Sequence, residues 1–89
     1  MTVARRLVVP GRVQGVNYRG WLRERAVARG VAGWAVNAFD GTVDVWLEGD
    51  ADAVAAVERA AAQGPRHAEV RGVDASDEQP RGVSGFDRR

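Results

Sequence analysis

The sequence predicts an α+β sandwich: an antiparallel sheet with two helices on one of its faces. Three observations lead there. Asp40-Gly41 stands between two strand-like runs, and both residues accept the positive φ of a tight hairpin turn. In the second run Val43, Val45 and Leu47 alternate with Asp44, Trp46 and Glu48, which predicts one buried and one wetted strand face. Two further stretches, 18–29 and 51–63, repeat their apolar residues every three or four positions, the period of a helix.

Taken in order, residues 4–10 (ARRLVVP) form a first strand that Pro10 and Gly11 end, because proline cannot donate to a ladder. Residues 18–29 form the first helix, with Tyr18, Leu22 and Ala26 on one face and Gly30 placed to close it. The runs VAGWAVNAF and TVDVWLEG make the hairpin around Asp40-Gly41. Asp50 caps a second helix over 51–63 whose buried stripe is Val54, Val57 and Ala61, and Gly64-Pro65 stops it. Residues 67–74 and about 82–88 read as two weaker strands joined by the polar stretch ASDEQPRG. The order is β-α-β-β-α-β with room for an extra edge strand, the split βαβ or ferredoxin-like arrangement. Many functions share that arrangement, so the chemistry has to be sought in particular residues.

The whole chain, 1–89, is expected to be one domain. Its 13 basic residues, all arginine, nearly cancel 12 acidic ones, so bulk charge draws it to neither nucleic acid nor membrane. The absence of lysine and isoleucine beside abundant alanine, valine and glycine reads as codon bias. Without cysteine there is no disulfide framework, no thiolate catalysis and no thiol metal site. The opening MTVARRLVVPG lacks the apolar run of a signal peptide or membrane span, so a cytoplasmic protein is expected; separately, a monomer is expected.

One stretch does not read as an ordinary turn. In GRVQGVNYRG (residues 11–20), Val13 and Val16 stand where a turn would favour Asn, Ser or Asp. The stretch joins a strand to a helix N-terminus, where backbone N–H groups lack intrahelical acceptors and attract anions. Gly11 and Gly15 let the backbone curl around a ligand, and the valines anchor the loop to the core. Arg19, in the first helical turn, offers a planar fork of donors suited to a phosphate dianion. Neither the Walker pattern nor G-x-G-x-x-G is present. By itself Gly-x-x-x-Gly before a helix suits a structural turn equally well.

The string GRVQGVNYR closely resembles the signature of acylphosphatases, small enzymes that hydrolyse the carboxyl–phosphate bond. GVAGWAVNAFDGTV (30–43) resembles that family's second signature, and EGDADAV and GPRHAEV its looser later pattern, so the similarity spans nearly the whole chain. The resemblance implies that Arg19 binds phosphate and that Asn37 orients the attacking water. It further implies that the amides of Arg12, Val13, Gln14, Gly15 and Val16 cradle the phosphoryl oxygens. The chain departs from the family pattern at Arg29, at Val36 (where many relatives carry Arg or Lys) and at Arg88, where an aliphatic residue is usual; the last predicts a frayed final strand. On this reading the substrate is a small acyl phosphate, inorganic phosphate is a product, and no metal or other cofactor is needed.

Two other functions could use the same fold. A non-catalytic phosphate-binding domain would keep the same cradle, and retention of both Arg19 and Asn37 speaks against it. An RNA-binding sheet would use Trp21, Trp34 or Trp46 for stacking, but Asp44 and Glu48 share the face of Trp46 and the RNP1 pattern is missing. His67, the only histidine, has no ligand cluster around it in sequence.

Overall fold

Strand β1 (Thr2–Val9) sends Leu7 and Val9 into the core, as the period-two rule demands, while Arg5 and Arg6 point to opposite faces. Each arginine finds its own partner. Arg5 meets Glu58 and Asp77, and Arg6 forms a two-pronged pair with Asp44. The computed structural model describes residues Met1–Arg89. After Pro10 come β2 (Gly11–Arg12), the loop 13–17 and helix α1 (Tyr18–Ala28), whose buried stripe is Tyr18, Leu22 and Ala26. Strands β3 (Ala32–Asn37) and β4 (Val43–Asp50) form the expected hairpin. Helix α2 (Ala51–Gln63) follows, with the Asp50 carboxylate accepting the Asp52 N–H at 3.3 Å as its N-cap. Strands β5 (Glu69–Val70), β6 (Asp74–Glu78) and β7 (Phe86–Arg88) complete the chain.

The main sheet runs β6-β1-β4-β3-β7, and β2 and β5 pair separately. Leu7, Val9, Ala35, Val43, Val45 and Leu47 from the sheet join Leu22, Ala26, Val54, Val57 and Ala61 from both helices in one core. Both helices therefore lie on one face, as expected. The Tyr18 hydroxyl donates to the Ala61 carbonyl at 2.7 Å, a buried bond that locks α1 to α2; burial pushes its phenol well above the ordinary range.

Three features depart from the sequence expectation. The first is β6, which falls largely in the polar stretch read as a connection. All its residues are exposed because it is an edge strand, and Asp74, Asp77 and Glu78 discourage a further chain from adding there. The second is the sense of the final strand, since β7 runs parallel to β3 and makes the sheet mixed. It is short, but it is held rather than frayed: the Gly33 N–H donates to Gly85 O and the Arg23 Nε to Phe86 O.

The third concerns the face of β4 expected to be wet. Trp46 and Glu48 are 2% and 5% exposed. The Glu48 carboxylate accepts the N–H groups of Arg81, Gly82 and Val83 and the Trp46 indole N–H, at 2.7–3.1 Å, and so straps the 81–83 segment across the sheet. Beneath it the Trp34 and Trp46 rings stack 5.3 Å apart, and the Arg81 guanidinium lies 4.2 Å from the Trp46 ring. Burial works to raise the Glu48 pKa, but the four donors outweigh it and hold the group below the usual carboxylate range.

A folded-state pKa below the unfolded one stabilises the fold above the unfolded value, about 4.3, and the stabilisation fades as pH falls through the folded value. Glu48→Gln should therefore lower Tm at pH 7, by about 4–8 °C for each kcal/mol lost, and shrink the gap to wild type in acid. Thermal unfolding of both proteins between neutral and acid pH checks this; parallel Tm curves would show that the Glu48 charge contributes nothing.

Candidate active site

The loop between β2 and α1 begins where two residues of β2 pair with β5, with Gly11 opposite Val70 and Arg12 opposite Glu69. Gly11 has φ +117, and a Cβ there would stand 2.0 Å from the Glu69 carbonyl oxygen, so only glycine lets the strands close. Beyond Arg12, the N–H groups of Val13, Gln14, Gly15, Val16 and Asn17 donate to no backbone or side-chain acceptor in the protein. Val13 is buried and Val16 packs against the core, which fixes these amides in place. Gly15 (φ +78) looks onto open space, and Asn17, the helix N-cap, is held at φ +60 with no side-chain cap bond. A run of fixed, unpaired N–H groups at a helix N-terminus is an anion cradle by its chemistry.

Arg19 follows in the first turn of α1. Its Nη1 donates to the main-chain oxygen of Arg89, and its remaining N–H groups bind nothing in the protein. Arg89 in turn donates its own N–H to the Ala35 carbonyl on β3 at 2.9 Å, while its guanidinium lies 4.6 Å from the Trp34 ring. A chain of two hydrogen bonds thus links Arg19 to β3, two residues before Asn37.

Asn37 ends β3 opposite Val43. Its Oδ1 is buried and has no hydrogen-bond partner in the protein. That oxygen is closed even to a water molecule, whereas Nδ2 also lacks a partner and is not buried, so the nitrogen is the end of the carboxamide that a water can meet. The turn that follows is stiff: Asp40 Oδ1 accepts from the Thr42 hydroxyl at 2.7 Å and the Thr42 N–H at 3.0 Å, and Ala38 N–H donates to Thr42 O. The Thr42 hydroxyl, then its amide, hold the Asp40 pKa below its ordinary value.

Loop and hairpin are joined directly. Gln14 Nε2 donates to Ala38 O at 2.9 Å and to Thr42 O at 3.0 Å. Two independent links thus tie the loop Val13–Val16 and Arg19 to the β3–β4 hairpin that carries Asn37. Arg12 lies at the entrance of the amide run, in the β2–β5 ladder.

A family model described as Acylphosphatase matches residues 5–88. The chain belongs to the acylphosphatase family. It is 44% identical over 87 residues to an acylphosphatase of Azorhizobium caulinodans, covering 97% of this chain and 94% of the relative. An acylphosphatase of Haloarcula marismortui is 49% identical over 82 residues, covering 91% and 89%. The crystal structure of acylphosphatase from Bacillus subtilis superposes with a TM-score of 0.94 at 30% identity, covering 100% of this chain and 99% of that one.

Of the departures from the acylphosphatase pattern, Val36 directly precedes Asn37 and Arg88 directly precedes Arg89, while Arg29 lies further off. Arg29 is exposed beyond the end of α1, Arg88 is exposed on β7, and Val36 is half-buried on β3. His67 is exposed, and no group of three or more His, Cys, Asp or Glu side chains is placed to hold a metal ion. Two contributors were missed by the sequence reading: the Gln14 side chain and the Arg89 main chain. Gln14 carried a faint signal, since glutamine is a poor turn former and stood where a turn residue was expected. Arg89 carried none, because a main-chain oxygen has no sequence signature.

Proposed function

We propose that this chain hydrolyses acyl phosphates by direct attack of water, with the loop amides, Arg19 and Asn37 as its working groups. The reaction class follows from membership of the acylphosphatase family over nearly the full chain; the residue roles are the proposal. One observation carries it: the unpaired amides of Val13–Asn17 run directly into the helical turn that bears the Arg19 guanidinium.

The amides and Arg19 hold the phosphoryl oxygens and oppose the charge they carry in a loose transition state. Asn37 Nδ2 donates a hydrogen bond to water and leaves a lone pair of that water facing phosphorus. As the new P–O bond forms, the bond to the acyl oxygen breaks and its electron pair leaves with the carboxylate. That leaving group has a pKa of roughly 4, so it departs without a general acid. The water proton passes to phosphate or solvent. No metal takes part in this account, and the protein acts as a monomer in the cytoplasm.

The direct test is hydrolysis of benzoyl phosphate by the purified protein, with and without a chelator. Turnover unchanged by chelator and inhibited competitively by inorganic phosphate is expected. Phosphate binding without turnover would instead establish a non-catalytic anion-binding domain, and a requirement for added Mg²⁺ would show that the mechanism lacks a component.

A further inference from the structure

Gln14 sits in the middle of the cradle, and its side chain bonds to another element. The carboxamide reaches the β3–β4 turn and donates to two carbonyl oxygens, Ala38 O and Thr42 O, at 2.9 and 3.0 Å. The orientation of the amide is fixed by chemistry, because the opposite flip would set an oxygen against two acceptors. Those carbonyls bracket the hairpin at one level. Ala38 directly follows Asn37, Thr42 directly precedes Val43, and Asn37 and Val43 are partners in the ladder. The Ala38 N–H bonds to the same Thr42 oxygen, so both strand ends converge on this one side chain.

We infer that Gln14 is a positioning residue: its side chain sets the distance between the phosphate held by the loop and the water held by Asn37. The inference rests on the roles proposed above for the loop and Asn37. The Gln14 amide N–H belongs to the cradle, and its side chain grips the residue next to Asn37, so a single residue spans the gap between electrophile and nucleophile. With Nε2 removed, the loop still has its core valines and the hairpin still has its Asp40–Thr42 lock. Each half then survives while the spacing between them relaxes, and a shift of about 1 Å costs up to roughly a hundredfold in rate.

The test compares wild type, Gln14→Met, Asn37→Ala and the double variant, reading kcat with benzoyl phosphate, the inhibition constant of inorganic phosphate and thermal unfolding. Gln14→Met should lose about tenfold to a hundredfold in kcat while phosphate inhibition stays within about twofold. In the Asn37→Ala background the same substitution should cost nothing further, since Gln14 acts through Asn37. Losses that multiply in the double variant overturn the inference, as does a wild-type kcat for Gln14→Met beside a damaged Asn37→Ala. Full activity of Asn37→Ala alone removes the water-positioning reading and this inference with it. Gln14→Glu gives a second route that stands if the methionine variant fails to fold. Its carboxylate faces two carbonyl oxygens at neutral pH, whereas its protonated form donates to one of them. The kcat of Gln14→Glu relative to wild type should therefore climb as pH falls toward the carboxyl range, and a ratio independent of pH overturns the assignment.

Discussion

Arg19→Ala should lose turnover and phosphate affinity together. The guanidinium is the one charged donor group in the cradle proposed here, and its contacts strengthen as negative charge spreads over the phosphoryl oxygens. Removing such a donor costs on the order of a hundredfold to a thousandfold in kcat, or about 3–4 kcal/mol. The variant should remain folded, since within the protein Arg19 bonds only to the Arg89 main chain and carries no core packing. Arg19→Lys should recover part of the affinity and little of the rate, because an ammonium keeps the charge but not the two-pronged fork. The measurement is kcat/KM for benzoyl phosphate with the inhibition constant of phosphate. Near-normal hydrolysis by a folded Arg19→Ala protein would falsify the assignment.

Asn37→Ala should separate what Arg19→Ala joins. The cradle and Arg19 stay intact, so phosphate should inhibit nearly as well as in wild type. Turnover should fall by about a hundredfold or more, because the water loses the amide donor that aligns it. Asn37→Asp should not restore the rate: a carboxylate beside a phosphate dianion adds repulsion and removes the amide donor. If phosphate affinity collapses in step with kcat, Asn37 is a binding or folding residue; an unchanged kcat takes it out of the mechanism altogether.

Most of the fold was legible where one face of an element meets the core and the other meets water. The Tyr18–Leu22–Ala26 and Val54–Val57–Ala61 stripes and the Asp50 cap are local patterns found where the sequence put them; the hairpin turns at Asp40-Gly41 too, but through residues 38–42 and with positive φ at Gly41 alone. Strand β6 was illegible for the converse reason. An outer edge exposed on both faces needs no apolar alternation, and its register is set by β1 rather than by its own residues. The covering of Trp46 and Glu48 was hidden because it depends on a segment more than thirty positions downstream returning to the same strand. In the candidate site, the loop and Arg19 stood out from glycine placement and charge. The unpaired Asn37 oxygen and the Gln14 bridge appear only once the loop and the hairpin are brought together.

The two edges of the sheet are contributed last. Strand β6 closes the free side of β1, and β7 closes the free side of β3. While the chain is being made, β1, β3 and β4 are complete when neither flank has a partner, so two rows of open N–H and C=O groups face outward. Such ladders are templates for pairing with another chain. The strap on Glu48 lies between these closing strands and delivers the second flank after the first. The same segment ends at Arg89, whose main chain meets both Ala35 and Arg19. Closing the second open flank and meeting the Arg19 guanidinium are thus both tasks of one segment of this chain.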